Sequence, residues 1–159
     1  MWAGVGITCL SSARVRGPLL PDVEDPDAAP FRAGTARGEL LVQACGACGK
    51  WRMPPRPMCP HCRSVESTWV ATSGRGTVWS FVVPHPPLLP AYAELAPYNA
   101  IVVALDEDPA IRFVGNLVVS PEGPINEIDP ASIKIGEAVR VVFVPVDDVH
   151  LPRWIRATA

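Results

Sequence analysis

Four of the five cysteines fall in two pairs of identical internal spacing, Cys45-Gly-Ala-Cys48 and, ten residues further on, Cys59-Pro-His-Cys62. Two residues between thiols let one tight turn aim both sulfurs at a single ion at ~2.3 Å, and two facing turns close a tetrahedron of thiolates. A closed tetrahedron keeps no position for water or substrate, so the predicted ion is a structural zinc. Iron in a rubredoxin-like electron carrier uses the same four ligands and stays open as an alternative at this point. An odd cysteine total with this spacing reads as reduced thiols in a cytoplasmic protein rather than as a disulfide framework. Cys9 stands apart and receives no role.

Nineteen of the 159 residues are proline, well above the usual ~5%. Proline ends helices and is excluded from central strands, so a mostly β chain of short strands and ordered loops is expected, without long helices. The apolar fraction of 48% is enough for a packed core and argues against global disorder. A formal net charge of −2 argues against a protein held to a polyanion by its whole surface. The charge is nevertheless uneven. From residue 45 to 63 the only charged side chains are Lys50, Arg52, Arg56 and Arg63, whereas acids dominate after Ser120. The first ten residues are mildly apolar, but no cationic run precedes them and they are too short to span a bilayer.

Residues 1–29 read as a linker or disordered segment that ends in an acidic, proline-rich stretch of the kind an excised larger protein would leave. Residues 31–37 predict a short helix with Phe31 and Thr35 on one face, although Gly34 is unfavourable there. Residues 39–45 predict a strand that delivers Cys45 to the metal. Helix and ribbon together make one unit over residues 30–66, and residues 67–159 make a second. In the second unit, strands are expected at 67–72, at 77–83 (β-branched and aromatic throughout), at 100–105 and 111–119 joined by Asp-Glu-Asp-Pro, and last at 138–145. Gly74-Arg-Gly76 reads as a turn. Short strands with long connections predict a small Greek-key barrel of the OB type.

Two surfaces are candidates for contact. Between the cysteine pairs, Lys50, Trp51, Arg52 and Arg56 sit on a proline-bound knuckle that could hold phosphates or stack on a base; the alternative packs Trp51 back on the barrel. The loop 84–98 carries five prolines, which predicts a stiff, extended backbone displaying His85, Leu88, Leu89, Tyr92 and Tyr98. Such rigid anchors bind at low entropic cost; the alternative is a plug over one barrel mouth. No nucleophile elbow, phosphate-cradling loop or His-Glu-x-x-His motif occurs, and His85 has no carboxylate near it in sequence, so a self-sufficient enzyme is not expected.

A family resemblance rests on Gly38-Glu-Leu-Leu-Val-Gln-Ala-Cys45, on Pro54-Pro-Arg56 with Cys59-Pro-His-Cys62-Arg-Ser, and on Gly74-Arg-Gly-Thr-Val-Trp-Ser-Phe81. It extends through Pro97-Tyr98, Val114-Gly-Asn-Leu-Val118, Ile135-Gly136 and Val139-Arg-Val-Val-Phe143. From about residue 30 to 154 the chain resembles acyl-CoA-associated proteins built from a rubredoxin-like zinc ribbon followed by an OB fold. It is similar in particular to the C-terminal module of the small subunit of bacterial steroid side-chain enoyl-CoA hydratases, where a MaoC-like domain precedes it. The resemblance implies a non-catalytic subunit bound, as a heterotetramer, to a lipid-transfer-protein-type, thiolase-like aldolase. That enzyme would cleave a steroid β-hydroxyacyl-CoA to a ketosteroid and propionyl-CoA. The basic ribbon would lie near the CoA phosphates and the proline loop against the partner.

Zinc ribbons and OB folds also bind nucleic acids, which is the competing expectation. Residues 77–83 and 100–105 hold no cation and the next strand only Arg112, which weighs against it. A membrane role is not expected.

Overall fold

The computed structural model describes residues 19–157. Most of the expected linker, and Cys9 with it, lies outside the described residues.

A helix, α1, spans Ala29–Ala36 with proline in its first turn, where a missing N–H costs no helical bond. Gly34, unfavourable as a helix former, has a packing reason: a Cβ there would come 2.6 Å from Leu41 Cγ, so the glycine admits the following strand against the helix. That strand, β1 (Leu41–Cys45), is buried at every position and lies at the centre of a three-stranded antiparallel sheet. Its neighbours are β2 (Trp51–Arg52) and β3 (Ser67–Ala71). β3 begins one residue past the expected unit boundary at 66, yet its pairing is with β1 of the ribbon.

The second sheet holds β4 (Arg75–Val82), β5 (Ala100–Leu105), β6 (Arg112–Gly115), β7 (Ala138–Val146) and β8 (Val149–Arg156), in the order β6-β5-β4-β7-β8. Closure comes where the chain past β6 meets β8: Leu117 and Trp154 bridge in parallel, Val118 N–H donates to Trp154 O at 2.8 Å, and Trp154 N–H to Asn116 O at 2.9 Å. A five-stranded antiparallel sheet sealed by one parallel contact is the partly open Greek-key barrel of the OB type. The expected strand at 111–119 is therefore two segments, a short ladder with β5 and a sealing bridge to β8.

Alternation fills the barrel. Val78, Ile101, Val103, Phe113, Val139 and Trp154 face inward, none more than 4% exposed, and Leu40 and Val42 of the ribbon unit join the same cluster. Phe31 of α1 stacks on Phe113 at 6.1 Å, a further tie between the helix and the barrel. Burial of Trp154 beneath Gly115 requires the glycine, since a Cβ there would lie 2.9 Å from the indole ring.

Candidate metal centre and contact surfaces

The two cysteine turns share one backbone pattern. Gly49 N–H donates to Cys45 O and Arg63 N–H to Cys59 O, both at 2.9 Å, so each Cys-x-x-Cys closes a one-turn loop that ends in a left-handed residue. Gly49 takes φ 71° without strain, whereas Arg63 takes φ 63°, a conformation side chains seldom adopt. β1 and the backbone bond from Cys45 N–H to Lys50 O carry the first turn, and Cys59 N–H bonded to Ser64 O holds the second.

All four sulfurs lie within 4.8 Å of one another. Cys45 Sγ is 3.5 Å from Cys62 Sγ, and Cys48 Sγ is 3.7 Å from Cys59 Sγ. These are edges of the size set by a tetrahedron with Zn–S of ~2.3 Å, namely ~3.8 Å, and nearly double the ~2.05 Å of a disulfide. Backbone amides prepare the thiolates. The Cys48 amide, then opposed by burial, lowers Cys45 to about 6, and the amides of Cys62 and His61 lower Cys59. The Ser64 amide pulls Cys62 the same way, but Cys45, burial and the other two sulfurs outweigh it and push Cys62 up to about 12. Four thiolates this close need a cation between them. The donor set fits structural zinc.

The knuckle residues separate by environment. Arg52 is turned inward and 7% exposed, with Nε donating to Gln43 Oε1 at 2.6 Å and Nη2 to Arg56 O at 3.3 Å. It is not a free cation for a phosphate, which corrects its place in the expected contact set. Its β2 position pairs it with Gln43 of β1, also buried, so its head faces the ribbon's interior. Trp51 is half-buried and packs back on the core, the alternative raised above. Lys50 and Arg56 remain exposed.

Opposite the knuckle stands the β5–β6 turn. Gly49, Lys50, Trp51 and His61 face Glu107, Asp108 and Ala110 across a cleft of about 570 Å³. Lys50 Nζ lies 3.5 Å from His61 Nδ1. Burial tends to raise the Glu107 carboxyl, but amide bonds from Ser73 and from its own backbone win and hold it below its ordinary value. The basic ribbon tip therefore meets fixed acid on this side.

The proline loop differs from the expected extended form. Pro90 starts a helical turn, α2 (Pro90–Ala93), since its locked φ suits a first helical position. The turn brings Tyr92 to 6.0 Å from Tyr98 and folds Tyr92 and Leu95 toward the end of β6. Leu88 is half-buried, while His85 and Leu89 (57%) are exposed. The loop thus turns Tyr92 and Leu95 toward the barrel and leaves His85 and Leu89 exposed. Its far end is fastened by Asn99, a residue that sequence reading passed over. Asn99 is fully buried, accepts from Leu117 N–H at 2.7 Å and donates to Leu117 O and Ile125 O. Trp79, also passed over, is 51% exposed on β4 with the Arg112 guanidinium stacked 3.8 Å above its ring. Among the described residues, no helix is long and apolar enough to cross a membrane.

Residues 32–66 match the family described as "ChsH2, rubredoxin-like zinc ribbon domain", and residues 69–144 match "ChsH2, C-terminal OB-fold domain". The chain is 36% identical over 133 residues to a probable enoyl-CoA hydratase alpha subunit of Thermomonospora curvata. It is 35% identical over 145 residues to the 3-oxo-4,17-pregnadiene-20-carboxyl-CoA hydratase alpha subunit of Mycobacterium tuberculosis. These matches cover 83% and 85% of the chain but only 38% and 42% of those relatives, so the chain spans about two fifths of their length. It also matches 73% of a DUF35 domain-containing scaffold protein of Methanothermobacter thermautotrophicus at 33% identity. Among solved structures, a chain of the Ltp2-ChsH2(DUF35) aldolase is similar over its whole length and 87% of this chain, with TM-score 0.68 and 31% identity. The chain belongs to the ChsH2-like DUF35 family, whose members join a rubredoxin-like zinc ribbon to an OB fold.

Proposed function

We propose that this protein is a non-catalytic accessory subunit that binds and supports a thiolase-like retro-aldolase. The observation that carries this reading is its likeness, over the full length of that chain, to a component of the Ltp2-ChsH2(DUF35) aldolase. The substrate would be a steroid β-hydroxyacyl-CoA, cleaved to a ketosteroid and propionyl-CoA, in keeping with the steroid-CoA hydratase among the relatives. The zinc ribbon and the barrel share one core, so the subunit presents both as a rigid body. Zinc then acts through shape: it fixes the knuckle that carries Lys50 and Arg56. Partner or acyl-CoA contact is assigned to the exposed members of the two surfaces, Lys50, Arg56, His85 and Leu89, with Leu88, Trp51, Tyr92 and Tyr98 supporting them from half-buried positions. The catalytic groups would come from the aldolase.

Nucleic-acid binding is a second reading, favoured by one observation: an exposed Trp79 with Arg112 beside it on a barrel face is a stacking platform. The cross-strand row next to it is Ser80, Val102 and Val114, with no cation.

Size-exclusion chromatography of the chain alone and co-expressed with a thiolase-like partner separates the readings. Co-elution with the partner supports the accessory role. Separate elution, together with retention of single-stranded DNA by the free chain, supports the second reading and contradicts the first.

A further inference from the structure

A pocket of about 410 Å³ lies where the proline loop, the end of β6 and strand β8 meet. Its walls are apolar at Tyr92, Leu95, Ile125 and Leu151, and one side carries Arg153. Arg153 is held in place from one end only: Nη1 donates to Pro121 O at 3.0 Å and Gly123 O at 2.8 Å. Among the described residues, Nε and Nη2 meet no acceptor and no carboxylate comes within ion-pair distance of the guanidinium. Partial burial lowers the pKa of this group, against the weaker pull of the Glu122 charge, so the cation is partly desolvated with no carboxylate in ion-pair contact among the described residues. A second donor stands behind the same wall. Trp154 Nε1 is buried with no acceptor among the described residues and is separated from the pocket by Gly115, where a Cβ would lie 2.9 Å from it.

We propose that this pocket binds a small apolar molecule carrying a carboxylate, with the anion on the free edge of Arg153 and the apolar body against Tyr92, Leu95 and Ile125. The planar fork of a guanidinium matches a carboxylate bidentately, and the clamp on Nη1 fixes its orientation before binding. The pocket volume is in the range used by small-molecule sites, and its mix of apolar walls with one fixed polar group is the usual pattern. Glu122 lines the same mouth, and as an exposed carboxylate of like charge it weakens the site without closing it. The site stands whether or not the chain serves a thiolase-like partner.

The probe is decanoate, with decanol as its uncharged analogue, titrated into the zinc-loaded full chain and followed by calorimetry and by the Trp154 indole resonance. Decanoate should saturate one site about tenfold more tightly than decanol and shift that resonance. Arg153→Lys keeps the charge but loses the fork and should weaken decanoate about fivefold or more, whereas Glu122→Gln should tighten it about two- to threefold. Val114→Trp, at an exposed pocket-wall position, should block decanoate while the melting temperature holds, which covers the case in which Arg153→Lys fails to fold. Equal affinity for acid and alcohol, no saturable binding, or decanoate affinity unchanged in Val114→Trp would overturn the proposal.

Discussion

Replacing Asn99 tests the fastening of the proline loop. In Asn99→Ala the Leu117 N–H loses its acceptor, and the carbonyls of Leu117 and Ile125 lose their donor, all in the barrel interior. A buried polar group left unmade costs about 1–3 kcal/mol, more for the N–H than for a carbonyl, so the set should cost about 3–5 kcal/mol. Against a typical total stability of about 5–15 kcal/mol this is a large share, and for a chain of this length it lowers the melting temperature by about 10–15 °C. Asn99→Asp separates hydrogen bonding from shape. The introduced carboxyl still accepts from Leu117 N–H but turns acceptors toward two carbonyls, so burial and those oxygens raise its folded-state pKa. The folded state then binds more protons than the unfolded state, and stability falls as pH rises through the raised pKa. Acidification from about pH 7 toward about pH 4 should restore part of the loss. Urea unfolding in zinc-containing buffer, for the parent and both variants across pH, provides the test. A cost under about 1 kcal/mol for Asn99→Ala, or a pH-independent deficit in Asn99→Asp, would refute this account of the junction.

Cys45→Ser or Cys62→Ser should bring zinc from one per chain to near none by elemental analysis, with loss of ribbon structure; full metal content would contradict the ligand set. Arg52→Met should stay within about 1 kcal/mol of the parent in urea unfolding, because it also removes the acceptor-less Nη1 and leaves Gln43 bonded to the Arg56 amide, whereas Arg52→Ala should cost about 2–4 kcal/mol. A severe loss for methionine would show that the charge itself holds the knuckle. Leu89→Ala should weaken partner association by about tenfold without changing the melting temperature, and Tyr92→Ala should lower the melting temperature as well. Unchanged association for Leu89→Ala would remove that residue from the interface.

The metal site and most strands were legible because each rests on a local rule: two-residue spacing between thiols, and β-branched runs such as 100–105. What escaped depends on tertiary context. β8 was missed because Pro152 and His150 interrupt its alternation, and Pro152 is tolerated only because the strand lies at one end of the sheet order, in register with Phe143. Arg52 reads as one of a row of surface cations, since two residues of strand are too few to reveal which side faces in. The helical turn at Pro90 hides among prolines that individually favour extension. Asn99 carries no sequence signature, because a buried asparagine is defined by the carbonyls that surround it. Gly34 is the converse case: its low helix propensity is outweighed by the close approach of Leu41.

The accessory-subunit reading is tested most directly by titrating the zinc-loaded chain into a fixed amount of purified thiolase-like partner and measuring cleavage of a steroid β-hydroxyacyl-CoA. Activity that is negligible for either protein alone and rises to a plateau at a fixed ratio is the predicted result. A partner fully active by itself, or cleavage by this chain without the partner, would contradict it.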